Sequence, residues 1–225
     1  KVMASSALYN VAVLYEDQRN VDKAIQTYKR VVKEYPDSEV APKAVFAIGS
    51  IQESQTEFED AAQTFESMVQ FKNKKKPTEE DKVANWNQLQ TDMADALQNA
   101  GLIREALGDW NGAVKAYESF VQIFPNHVET ARVSLRIARA YEEAGDAAKA
   151  LAAYTKWIAK NYKAPDLVVE AWVRSGAMVK KLNKDGRRTE ATRMFDTAIK
   201  KFNEIGDNQA ALATAKNFAA QAMFE

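Results

Sequence analysis

The 225-residue sequence predicts an all-α fold, a right-handed stack of about five helix pairs over residues 2–204 closed by one capping helix. Three observations predict it. A small residue followed four positions later by an aromatic recurs as Ala24/Tyr28, Ala61/Phe65, Ala113/Tyr117, Ala150/Tyr154 and Ala191/Phe195, and such self-similarity marks a repeat. Twelve residues ahead of the first four alanines stand Ala12, Gly49, Gly101 and Ala138, with Gly176 fifteen ahead in the fifth unit. The 8 Gly and 5 Pro are too few for the turns of an all-β chain, and the abundant Ala, Lys, Glu, Gln and Leu favour helix. Antiparallel helices approach closely only where small residues face each other, and the aromatic fills the gap that remains.

The elements follow in order. The first pair covers 2–18 and 21–35, ending at Tyr35-Pro36-Asp37-Ser38: Pro cannot continue a helix, and Asp can cap the next one. The second pair covers 39–55 and 58–72. A charged segment, Lys72 to Asp81, comes next, with Thr78 read as an N-cap ahead of first-turn acids. Val83, Trp86, Leu89, Met93, Leu97 and Ala100 then keep helical period, so the third pair is a long helix, 80–107, with 110–124. The alanine markers are spaced 37, 52, 37 and 41 residues apart, and this loop and long helix absorb the 52 without adding a domain. Phe124-Pro125-Asn126-His127 repeats the stop. The fourth pair covers 128–144 and 147–161; the fifth covers 166–183 and 187–204, its excess lying in Asn183-Lys184-Asp185-Gly186. Gly101, Gly108, Gly145 and Gly206 are placed at or near turns. The last helix, 208–224, carries Leu212, Ala215, Phe218, Ala219 and Ala222 at helical spacing and is expected to cover the open end. Together these make one domain, 1–225, with repeats near 2–36, 39–72, 80–125, 128–162 and 166–204. It starts inside a helical pattern, as a piece of a longer chain would.

Around the markers the sequence resembles the tetratricopeptide repeat, W-x2-L-G-x2-Y, then A-x3-F, then P. The first unit gives Leu8-x2-Val11-Ala12-x2-Tyr15, Ala24, Tyr28 and Pro36; the third gives Leu97-x2-Ala100-Gly101, Ala113, Tyr117 and Pro125. The fourth gives Ile137-Ala138-x2-Tyr141, Ala150 and Tyr154, and the fifth Trp172-x2-Ser175-Gly176-x2-Val179. The 37-residue steps with their aromatic-Pro-Asp/Asn stops look like the longer repeats of bacterial cell-envelope proteins. That resemblance implies a periplasmic or envelope location, with the cytoplasm as the alternative.

The resemblance also implies the function: a non-catalytic scaffold whose first helices line a concave groove for a partner peptide or protein. Carried over residue by residue, the groove takes Tyr9, Val13, Phe46, Leu102 and Leu135, with Glu16, Glu53, Glu105 and Glu142 along one edge. Tyr9, Val13 and Phe46 would form an apolar patch, the kind of surface that meets partners. Arg132, Arg136 and Arg139 lie at spacings of a single helical stripe, suited to acidic side chains or phosphate, or else to a solvated stripe paired with Glu142 and Glu143. An architectural spacer with an empty groove is the competing reading.

Other functions find little support. The 31 basic and 31 acidic residues balance, so no global field calls for nucleic acid. Charge is uneven locally, with 7 basic and 11 acidic residues over 1–71 (net −4) and 11 and 5 over 160–201 (net +6). That asymmetry would suit self-association. No apolar run is long enough to insert in a bilayer. There is no cysteine, and His127 is the single histidine, expected on the surface. No phosphate loop, dinucleotide fingerprint, nucleophile elbow or zinc motif occurs, so neither cofactor, metal nor catalysis is expected.

Overall fold

The computed structural model describes residues 2–160, 162–182 and 188–224, and among them are eleven α-helices, one 3-10 turn and no strand. The fold is an all-α solenoid of helix pairs. The chain packs as two compact units, residues 1–124 and 125–225. The division falls at Phe124-Pro125, where Pro stops the helical run.

The first unit holds α1 (Val2–Asp17), α2 (Val21–Glu34), α3 (Val40–Ser54), α4 (Phe58–Glu66), the 3-10 turn Ser67–Phe71, α5 (Glu80–Ala106) and α6 (Trp110–Ile123). The second holds α7 (Thr130–Glu143), α8 (Ala147–Ala159), α9 (Pro165–Leu182), α10 (Arg188–Asn203) and α11 (Gln209–Phe224). The stretch 183–186, where the fifth unit's excess was placed, lies outside the described residues. Within each unit successive helices pack on one another, and α11 lies on both α9 and α10. Ala215, Ala219 and Ala222 are buried there with Phe218 beside them, so this helix covers the end of its unit as its spacing predicts.

Every marker is core. Ala24, Ala61, Ala113 and Ala150 are at 0% exposure and their aromatics are as deeply buried. A β-carbon on Gly49 would sit 2.6 Å from Phe65 Cε1, and one on Gly176 2.6 Å from Phe195 Cε1, so only glycine admits these rings. Leucine at Ala113 or at Ala150 is therefore expected to overpack the crossing and cost about 1–3 kcal/mol. Urea melts of the two variants check this, and unchanged midpoints would refute the helix register.

Local chemistry explains most boundaries. Asn20, Asp109 and Asp146 cap α2, α6 and α8, their side chains accepting the amides of Lys23, Gly112 and Lys149. Gly108 and Gly145 just before two of these caps have φ of 73° and 79°, where a side chain would be strained. Gly101, expected near a turn, lies inside α5 instead and is buried against the Tyr117 ring. Thr78 is not the cap of α5. Glu79 holds that position without a side-chain bond. Ser38, not Asp37, caps α3's first turn, its Oγ accepting the Ala41 amide at 3.2 Å. The second helix of the second pair stops at Glu66 and tightens to 3-10 geometry, with Ser67 Oγ donating to the Thr64 carbonyl at 2.6 Å. Spacing of three per turn then turns both Met68 and Phe71 inward.

Candidate functional site

In the first unit the partly exposed apolar residues of the first helices come from α1, α3 and α5. Tyr9 and Val13 of α1 are half-buried beside the α1–α3 core, and Phe46 of α3 is half-buried. Leu102 of α5 is 41% exposed. Neither aromatic is a loose surface ring. Tyr9 leans on Tyr28, with centroids 5.3 Å apart, and Phe46 on Phe65 at 5.7 Å, so each is braced by the marker aromatic of its own repeat. Burial raises the Tyr9 hydroxyl above its ordinary pKa, and the negative fields of Glu16 and of Asp92 on α5 add to the rise. The extra N-terminal length of α5 laps onto α3, where Lys43 donates to Asn85 Oδ1 at 3.2 Å and Asn85 Nδ2 donates to Glu39 at 3.1 Å.

The expected acidic edge divides. Glu53 is exposed. Glu16 accepts the Tyr28 hydroxyl at 2.8 Å, Glu142 accepts that of Tyr154 at 2.6 Å, and Glu105 is also engaged. Two of these glutamates therefore hold a repeat together across twelve residues, a tie that the spacing of Glu and Tyr already contained.

Burial, reinforced by these carboxylates, raises both the Tyr28 and the Tyr154 hydroxyl well above the usual tyrosine value. A hydroxyl that keeps its proton longer when folded contributes stability that is whole below about pH 10 and is lost as pH rises beyond. Urea midpoints should thus be insensitive to these tyrosines up to about pH 10 and fall above it. Tyr28→Phe with Tyr154→Phe should flatten that fall, which a melt series across the alkaline range measures.

In the second unit the expected site does not form. Leu135 is fully buried in the α7–α8–α9 core, so it is removed from any binding surface. The arginines do lie along α7, but they do not act as one stripe: Arg132 is exposed, whereas Arg139 turns onto α9. Arg132 pairs with Glu129 at 3.3 Å and Asp166 at 3.7 Å. Arg139 grips Glu170 with both ends of its guanidinium, and Arg136 is engaged as well. Glu170 was missed as a structural residue: at 1% exposure it sits between Arg139 and Arg174, whose Nε donates to it at 2.8 Å. Arg174 also reaches Glu142 at 3.0 Å and lies over the Phe218 ring at 5.6 Å, extending the network to α11. Charges buried this deeply persist only when paired. The i,i+4 spacing of Glu170 and Arg174 inside an apolar run was the signal in the sequence.

His127 is exposed, its Nδ1 accepting the Glu129 amide at 3.2 Å. Among the described residues no group of acidic and histidine side chains could hold a metal ion, and no helix is long and apolar enough to cross a membrane.

Two tetratricopeptide-repeat family models match the sequence, over residues 6–38 and 92–159. No protein of curated function matches it. Among solved structures, the crystal structure of MamA is similar over 91% of this chain and 95% of its own, at 18% identity and a TM-score of 0.50. YrrB, described as a TPR protein with an unusual peptide-binding site, is similar over 93% and 90% at 15% identity and a TM-score of 0.49. The TPR2AB domain of yeast Sti1, in complex with pHSP90, is similar over 99% and 100% at 15% identity and a TM-score of 0.41. At such identity the MamA likeness shows the fold alone.

Proposed function

The chain belongs to the tetratricopeptide-repeat family, and from that premise we propose that it is a non-catalytic scaffold binding a partner peptide on the groove of its first unit. The observation that carries this is the set of partly exposed apolar side chains on three successive first helices, the braced rings Tyr9 and Phe46 with Val13 and Leu102. Rings already held by Tyr28 and Phe65 lose little freedom on binding, which favours affinity. Glu53, exposed on α3, favours a ligand whose apolar anchor has a basic flank. In the second unit Arg139 and Glu170 are spent on internal pairing, which supports an architectural role for that unit's first helices.

Selection of random displayed peptides on the intact chain tests the reading. Recovered peptides are expected to combine an apolar anchor with Lys or Arg. Phe46→Ala should weaken them by about 2 kcal/mol or more, and Glu53→Gln by well under 1 kcal/mol. Circular dichroism confirms that each variant is folded. Affinity unchanged by both Tyr9→Ala and Phe46→Ala, but abolished by Arg132→Ala, would overturn the groove.

We also propose a cell-envelope location. The support is the two aromatic-Pro-Asp/Asn stops at Tyr35-Pro36-Asp37 and Phe124-Pro125-Asn126, which resemble those of bacterial envelope repeats. Fractionation of cells expressing the natural gene decides it, recovery with cytoplasmic markers being the contrary result.

A further inference from the structure

The second unit carries a cleft on neither the groove nor the ion network. It has a volume of about 420 Å³ and opens between the end of α8, the start of α9 and the end of α10. Its apolar lining is Trp157, Ile158, Tyr162, Val168, Trp172 and Ile205. Ile158, Tyr162 and Val168 belong to the edge of one core cluster, Trp172 and Ile205 to the edge of the next, so the cleft is the seam between two repeats.

The residue four positions before the packing glycine is partly open at this seam and closed at two others. Trp172 stands four residues before the packing glycine Gly176, as Val45 stands before Gly49 and Leu97 before Gly101. Val45 and Leu97 are closed, at 3% and 0% exposure, whereas the much larger Trp172 is left partly open. The opposite wall is held in place. The Tyr162 ring lies 5.3 Å from Trp157 and its hydroxyl 3.4 Å from Ser134 Oγ, while Trp157 Nε1 donates to the Ala131 carbonyl at 2.6 Å. A preformed aromatic cavity of this size suits one bulky apolar side chain with its adjoining backbone.

Charge at the mouth says what should flank that side chain. Lys163 and Lys201 line it with a single carboxylate, Glu204. Glu204 pairs with Lys201 at 2.8 Å, but both side chains are nearly half exposed, so the pair is weak and open to exchange.

We propose that this cleft is a second docking site, taking a bulky apolar side chain from an acidic segment of a partner protein. It rests on the scaffold reading above but not on the first-unit groove, whose preferred flank is basic. One chain would then hold two segments of opposite charge.

The test uses the intact chain and three synthetic peptides: acetyl-Glu-Asp-Phe-Glu-Asp-amide, the same peptide with Ala for Phe, and the same with Lys for each acid. The readout is the indole N–H resonance of Trp172, assigned with Trp172→Phe. The acidic phenylalanine peptide is expected to shift Trp172 saturably while leaving Trp86 and Trp110 unmoved. The Ala and Lys peptides should bind at least about tenfold more weakly. Lys163→Glu with Lys201→Glu, both on the surface, should reverse the preference in favour of the Lys peptide. No saturable shift at Trp172, equal affinity for all three peptides, or an unchanged preference in the charge-reversed variant would overturn the site. None of these outcomes touches the groove, because Tyr9 and Phe46 are not what the indole reports.

Discussion

Glu170→Ala is expected to lower the stability of the second unit by about 3 kcal/mol. The carboxylate is 1% exposed and is the shared partner of two guanidiniums, so its removal leaves Arg139 and Arg174 facing each other across the space it filled. The cost falls at the low end of the range for broken buried pairs because Arg139 and Arg174, at 31% and 28% exposure, can still turn toward water. Urea unfolding combined with hydrogen exchange in α9 measures it. Replacing the whole triad, with Arg139→Met, Glu170→Leu and Arg174→Met together, should cost far less than the single change, since the deeply buried charge is gone and Glu142, which loses Arg174, keeps the Tyr154 hydroxyl. A single-variant cost below 1 kcal/mol would mean that the network carries little of the fold.

Phe65→Ala should be the most damaging core change, at about 3–5 kcal/mol, because the ring is fully buried and supports both Gly49 and Phe46. Its coupling to Gly49 is the sharper measurement. Alone, Gly49→Ala drives a β-carbon to 2.6 Å from Phe65 Cε1, and the overpacking outweighs the roughly 1 kcal/mol that alanine gains over glycine in a helix. With Phe65 already reduced to alanine the clash is gone, and Gly49→Ala should become stabilising. The change of sign between backgrounds, read from a double-mutant cycle, tests directly that the small residue and the aromatic twelve and four positions around Ala61 form one packing unit. Additive effects would mean that they do not.

The sequence by itself determined the helix pairs and their register. The alternation of small and aromatic residues is a local pattern, so its packing consequence follows wherever two antiparallel helices close on each other. Caps are local too: Asn20, Asp109 and Asp146 each find an amide three residues on, within reach of any chain that turns there. The tie of Tyr28 to Glu16 belongs to the same class, lying inside one helix pair. In the candidate groove Tyr9, Val13, Phe46 and Leu102 could be placed on first helices from register alone. Whether such a residue faces solvent or core was another matter. Leu135 and Arg139 sit one helical turn apart on α7, and only the approach of α8 and α9 buried the first and gave the second its partner in Glu170, 31 residues away. Thr78 failed as a cap for a related reason, since the start of α5 follows from how the segment before it folds back, with Trp86 Nε1 donating to the Lys74 carbonyl at 3.4 Å. Periodicity fixes which residues share a face of a helix, but the charge partner and solvent access of that face depend on contacts between helices distant in the chain, and those the tertiary structure alone decided.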